Sequence, residues 1–141
     1  MKIHVIKGKT NLSNTYLIQS DSKEIIVIDP SDYNRIKSNM LDNNVTIRYV
    51  ILTHEHWDHI IGLNQLREEN NCMVISTMNC SEAIGDSKRN LSRYRTILSA
   101  ESGSVRTEVI CNKVEMAFEG SCELWWNNQT IKLIETAGHS D

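Results

Sequence analysis

The chain has 141 residues, 40% of them hydrophobic and 23% charged, a composition that suits one globular domain with a real core and rules out a disordered chain. Its 15 basic and 18 acidic side chains leave a net charge of −3, which counts against a general nucleic-acid binder. One proline and 6 glycines exclude Pro-rich linkers, and no apolar run nears the roughly 20 residues of a membrane span.

Residues 2–7 alternate apolar and polar, as a half-buried strand does. Their stretch, MKIHVIKGKT, has neither an apolar leader segment nor a small-residue cleavage site, so the expected location is the cytoplasm. A turn is expected over residues 11–14. Residues 15–19 and 24–28 then form a hairpin around Ser20-Asp21-Ser22-Lys23. Ser31 or Asp32 caps a helix that runs to about Leu41. Residues 45–52 are a continuous apolar run rich in β-branched side chains, hence a buried strand. After the polar cluster 53–59, residues 60–69 read as a helix and 73–76 as another strand. Short helices are expected at 80–86 and 91–98, on either side of Lys88-Arg89-Asn90, although residues 79–104 carry little pattern. Residues 122–126 and 130–136 form a last hairpin around Asn127-Asn128. Strand, helix and strand recur in order, which makes the fold class α/β.

The four cysteines form no C-x-x-C pair and read as free thiols. His4 reads as an ordinary strand residue. Met40, Met73, Met78 and Met116 are core candidates. Strand alternation sends Trp125 and Trp126 to opposite faces, one of them into the core. The basic run Lys88, Arg89, Arg93 and Arg95 reads as a solvated face.

Three of the five histidines fall within six residues, as His54-x-His56-x-Asp58-His59. Two histidines two apart at a strand end project the same way, whereas the adjacent Asp58 and His59 project differently. Nitrogen donors with one carboxylate suit Zn²⁺ best, with Fe or Mn as alternatives. His139 also follows an apolar strand, behind Gly138, whose backbone is free to take unusual angles. If both strands end at one sheet edge, His139 completes a three-histidine set with His54 and His56. Three protein ligands and a water is the open arrangement of catalytic zinc.

The segment Thr53-His54-Glu55-His56-Trp57-Asp58-His59-Ile60-Ile61-Gly62 resembles the signature of the metallo-β-lactamase-fold hydrolases, nearest their glyoxalase II-like branch. Asn14-Thr15-Tyr16-Leu17-Ile18 is similar to that family's N-x-Y-L-I strand, and Ile28-Asp29-Pro30 to the turn after the next strand. Gly62-Leu63-Asn64 resembles the start of its following helix. Thr136-Ala137-Gly138-His139-Ser140 resembles its T-P-G-H-S element, with Ala137 in place of proline. The resemblance implies the N-terminal half of an αββα sandwich, a mixed sheet flanked by helices, as one domain over residues 1–141 that stops after the third histidine ligand. It implies one or two metal ions, the first on His54, His56 and His139 and the second on Asp58 and His59. Water or hydroxide held between them attacks a thioester, lactone or related ester, with Asp58 orienting the water or moving its proton. Trp57 becomes a wall beside the ligands.

The family's second half supplies further ligands to the second metal, and this chain holds none of them. The resemblance therefore implies an apolar sheet face left uncovered, including the strand after Val45, and with it either a homodimer or a missing C-terminal half. The alternative function is a non-catalytic metal-binding fragment or interaction module. A nuclease of the same fold is disfavoured by the charge. An iron redox protein is disfavoured because such sites tend to carry a carboxylate where His56 stands.

Overall fold

The computed structural model describes residues 1–9, 12–101 and 107–140. A six-stranded mixed sheet runs in the order β1 (Lys2–Ile6), β2 (Thr15–Gln19), β3 (Glu24–Ile28), β4 (Thr46–Ile51), β5 (Met73–Thr77), β6 (Met116–Phe118). The first three strands pair antiparallel, and β3 through β6 pair parallel. Parallel neighbours need crossovers, which helices supply. α1 (Tyr33–Asn43) joins β3 to β4, and α2 (Trp57–Ile60) with α3 (Leu63–Glu69) joins β4 to β5. α4 (Met78–Ala83) and α5 (Ser92–Glu101) lie between β5 and β6. β7 (Ser121–Trp126) and β8 (Gln129–Ile134) form a separate two-stranded sheet.

The central strands are apolar on both faces because both faces are covered. Ile25, Val27, Val50 and Val74 pack against the helices through Ile36, Leu63 and Leu66. On the opposite face, Ile26, Tyr49, Ile51 and Ile75 pack against Leu124 and Trp126 of the hairpin. The face expected to stand uncovered is therefore closed at its centre. Alternation along β7 sends Leu124 and Trp126 inward, while Trp125 stays 67% exposed. Asn127 and Asn128 both take positive φ, 51° and 60°, as a two-residue turn between Trp126 and Gln129 requires.

Other expectations shift for local reasons. Asp32 rather than Ser31 caps α1, accepting from the Arg35 N–H, and Asn44 closes it in the left-handed conformation. The helix expected over 60–69 is two helices broken at Gly62. There the Gly62 N–H donates to the Pro30 carbonyl at 2.8 Å, and a β-carbon would lie 2.6 Å from that oxygen. The helix expected at 80–86 starts earlier, because Thr77 caps it through the Cys80 N–H. The short strand β6 has no sequence signal, and it forms by pairing with β5. Ile3 and Val5 are exposed, since β1 lies at the sheet edge, and His4 is exposed beside them. Met73 and Met78 are each 41% exposed and are not core, whereas Met40 and Met116 pack against it. All four cysteines are free. The turn expected over 11–14 begins at Asn11, outside the described residues, as are 102–104 of the weakly patterned stretch. No helix among the described residues is long and apolar enough to cross a membrane.

Candidate metal centre

The parallel strands all point their carboxyl ends at one edge, where open α/β sheets bind ligands. The ladder between β3 and β4 continues past both strands, with the Asp29 N–H donating to the Ile51 carbonyl at 3.0 Å. Asp29 is thereby placed beside Thr53. Its φ is +52°, a conformation that Asp tolerates better than most residues. Its carboxylate is 3% exposed and accepts three bonds. These come from the Thr53 N–H at 2.8 Å, the Thr53 hydroxyl at 2.7 Å and Nδ1 of His59 at 2.9 Å.

These bonds fix two imidazoles by proton counting. A carboxylate only accepts, so His59 carries a proton on Nδ1, and in its neutral form Nε2 keeps a free lone pair. The Thr53 hydroxyl gives its one proton to Asp29. Nδ1 of His54, 3.0 Å from that oxygen, must then be the donor, so Nε2 of His54 carries no proton. In the metal-free chain that nitrogen accepts from Nδ1 of His56 at 3.1 Å.

His139 arrives from the far end of the chain, behind Gly138 at φ +147°. Its ring centroid lies 4.8 Å from that of His54 and 4.9 Å from that of His56. The ligating atoms of His54, His56 and His139 all fall within 4.8 Å of one another. Zinc–nitrogen bonds of about 2.0–2.1 Å set two nitrogens of one tetrahedral ion about 3.4 Å apart. The donor chemistry fits a divalent ion that prefers imidazole, and the rings would draw together by up to about 1.4 Å to hold one. Burial, with the nearby rings of His59 and His56, lowers the pKa of His54 from 6.5 to about 4. Burial also lowers that of His56. Both rings are thus neutral at pH 7, the state that donates to a metal.

Two expectations about direction are corrected. β4 ends at Ile51, so His54 and His56 meet through the loop anchored at Thr53 and not through strand alternation. Asp58 and His59 do not diverge. Asp29 holds Nδ1 of His59, and this swings Nε2 to 3.7 Å from the Asp58 carboxylate. The His59 ring lies 4.0 Å from that of His54, so this pair stands directly beside the three-histidine group. Burial opposes charge on His59, but the hydrogen bond and charge of Asp29, with the charge of Asp58, outweigh it and raise its pKa.

In the sequence, Asp29 reads only as part of a turn. One signal pointed to it, an acid closing an otherwise apolar strand just where the neighbouring strand runs into the histidines. Trp57 opens α2 with its N–H on the Asn90 carbonyl at 2.9 Å, and it packs partly into the core. The Arg95 guanidinium lies 4.4 Å over its ring, so Arg95 leaves the solvated face, while Lys88, Arg89 and Arg93 remain exposed. Glu55 is 6% exposed and lines a cavity of about 360 Å³ between the main sheet and the hairpin, with Ile26, Ile51, Phe118 and Leu133. It stands beside the histidines, since the cavity that it lines is lined by His54 as well.

Comparison with known proteins agrees with this geometry. The chain is 28% identical over 134 residues to Beta-lactamase-like protein 2 homolog of Caenorhabditis elegans, covering 91% of this chain and 37% of that protein. It is 34% identical over 76 residues to Hydroxyacylglutathione hydrolase of Pelagibacter ubique, covering 53% and 31%. It is 26% identical over 129 residues to Probable metallo-hydrolase YqgX of Bacillus subtilis, covering 91% and 56%. The chain thus spans between about a third and just over half the length of these relatives. The fold matches the crystal structure of BLEG-1 B3 metallo-beta-lactamase with a TM-score of 0.82 at 22% identity, over 99% of this chain and 63% of that one. It matches an archaeal metallo-beta-lactamase superfamily protein from Sulfolobus tokodaii with a TM-score of 0.70 at 20% identity, over 98% and 56%. The family model of the metallo-beta-lactamase superfamily matches residues 8–98, which run from the first turn through the histidine loop to α5. On that match, the chain belongs to the metallo-beta-lactamase superfamily.

Proposed function

We propose that the protein is a zinc-dependent hydrolase of a thioester, with lactones and related esters as the neighbouring substrate class. The observation that carries this reading is that three imidazoles from two distant parts of the chain bring their ligating atoms within 4.8 Å of one another. His54, His56 and His139 would hold the first ion, and Asp58 with His59 a second. When bound, such an ion supplies Lewis acidity toward a carbonyl oxygen and toward water.

The chain's own residues do the rest. Asp29 and Thr53 lock His54 and His59 in the tautomers that leave their Nε2 atoms available. Asp58 keeps a side chain 30% exposed beside His59, placed to orient a water and accept its proton. No serine or cysteine nucleophile is required. Cys80, the cysteine near this edge, is buried, and burial pushes its thiol up to about 12, far from a reactive thiolate. The thioester preference draws on the identity with Hydroxyacylglutathione hydrolase.

The test is metal content by elemental analysis on the folded 141-residue chain, followed by turnover of an acyl-glutathione thioester and a simple lactone. One or two zinc ions and thioester hydrolysis that vanishes in His56→Ala are expected. Turnover that persists unchanged in that variant would overturn the reading.

A further inference from the structure

Beneath the histidine loop lies a group of hydroxyls that touch no candidate ligand side chain. Thr15, the first residue of β2, is 0% exposed, and Ser31, in the turn between β3 and α1, is 2% exposed. The Thr15 hydroxyl donates to the Asp29 carbonyl at 2.6 Å and accepts from the Ser31 N–H at 3.0 Å. The Ser31 hydroxyl lies 2.9 Å from that of Thr15 and donates to the Ser13 carbonyl at 2.7 Å. The Ser13 hydroxyl then crosses to the histidine loop and donates to the Asp58 carbonyl at 2.8 Å.

We infer that Thr15, Ser31 and Ser13 are positioning residues for the metal centre: their hydroxyl chain holds the backbone of Asp29 and of Asp58, and through them the side chains of His59 and Asp58. The argument is one of constraint. Asp29 sits at φ +52°, which its flanking strand does not favour, so an outside contact must hold its carbonyl. That contact is the hydroxyl of Thr15, a residue with no exposed surface. The Ser31 N–H, shared with the Thr15 hydroxyl oxygen, also points at this carbonyl at 2.8 Å. The carbonyl contact fixes where the Asp29 Cα–Cβ bond starts, and from there the carboxylate reaches Thr53 and His59. At the other end, Asp58 lies in the first turn of α2, a helix of four residues with few bonds of its own. The Ser13 bond supplies an anchor from outside that helix.

This inference rests on the metal-centre reading for its effect on metal, so the test has one arm that needs no metal. Thr15→Val keeps shape and removes the hydroxyl, Thr15→Ser restores it, and Ser13→Ala removes only the half-buried end of the chain. In the metal-free protein, ¹⁵N imidazole spectra read the tautomer of His59. At a pH high enough to keep His59 neutral, the wild type and Thr15→Ser are expected to show one Nδ1–H form, and Thr15→Val a mixture of both tautomers. In the second arm, zinc titration against a chromophoric chelator is expected to show affinity lost on the order of 10-fold in Thr15→Val and in Ser13→Ala, with Thr15→Ser near wild type. An unchanged His59 tautomer in Thr15→Val, or equal losses in Thr15→Val and Thr15→Ser, would overturn the inference. A tautomer shift in a chain that binds no zinc would support it and would instead defeat the metal reading.

Discussion

Replacing Asp29 by Asn is the sharpest test of how the site is held. The exchange keeps size and keeps a residue that tolerates positive φ, but it turns one acceptor oxygen into an NH₂ donor. If the remaining oxygen keeps the Thr53 N–H, the new NH₂ faces two former donors, the Thr53 hydroxyl and Nδ1 of His59. Both must reverse. His59 then moves its proton to Nε2, and the turned Thr53 hydroxyl asks the same of His54. Two nitrogens facing the cluster lose their free lone pairs through one change. Two charge-assisted bonds of about 1.5–3 kcal/mol each are at stake, and partial re-pairing leaves an expected loss of about 2–4 kcal/mol. Against a typical total of about 5–15 kcal/mol, the protein stays folded. Urea denaturation of the metal-free chain reads that loss, and chelator competition should show zinc affinity down by about 10- to 100-fold. Asp29→Ala, with no acceptor and a β-carbon at φ +52°, should cost more stability still. Wild-type zinc affinity in Asp29→Asn would refute the tautomer argument.

The remaining predictions concern pH, packing and thiols. His54 titrates near 4 in the folded chain and near 6.5 when unfolded, so between those values the unfolded state takes up the extra proton. Stability of the metal-free protein should therefore fall as pH drops from 6.5 to 4, and the acid limb of a urea-midpoint profile should flatten in His54→Asn. His59 works the other way: its pKa is raised, so its contribution is present at low pH and is lost as pH rises through its folded value. Gly62→Ala sets a β-carbon 2.6 Å from the Pro30 carbonyl and should cost about 1–3 kcal/mol, read by thermal denaturation; an unchanged midpoint would mean that the turn yields freely. Trp126→Ala opens the contact between hairpin and sheet and should cost about 3–5 kcal/mol, whereas Trp125→Ala, on the exposed face, should cost little. Iodoacetamide on the folded chain should label Cys72 and Cys122 before Cys80 and Cys111, since burial pushes the last two thiols up to about 12 and about 11; mass spectrometry after digestion gives the order.

Much of this molecule was legible without coordinates because it depends on neighbours in the chain. The apolar runs of β3 and β4, the Asp32 cap and the Asn127-Asn128 turn are decided within a few residues, by strand period, capping and left-handed backbone. The same holds for the spacing of His54, His56, Asp58 and His59, whose donor types, so close together, suit a metal ion. What lay out of reach depends on pairs distant in sequence. Asp29 acts on His59 only because a parallel ladder sets β3 beside β4 and carries Asp29 next to Thr53. Nothing local distinguishes its carboxylate from that of any strand-ending turn. Thr15 and Ser31 meet for the same reason, across the β2–β3 pairing. The break at Gly62 is invisible in the apolar spacing of residues 60–69, since it comes from the Pro30 carbonyl pressing on the helix from another turn. Helical or strand period states which face of a segment is apolar, but only the register between strands states which polar atoms meet at the sheet edge. At this centre that register, through Asp29, decides which imidazole nitrogens are left free.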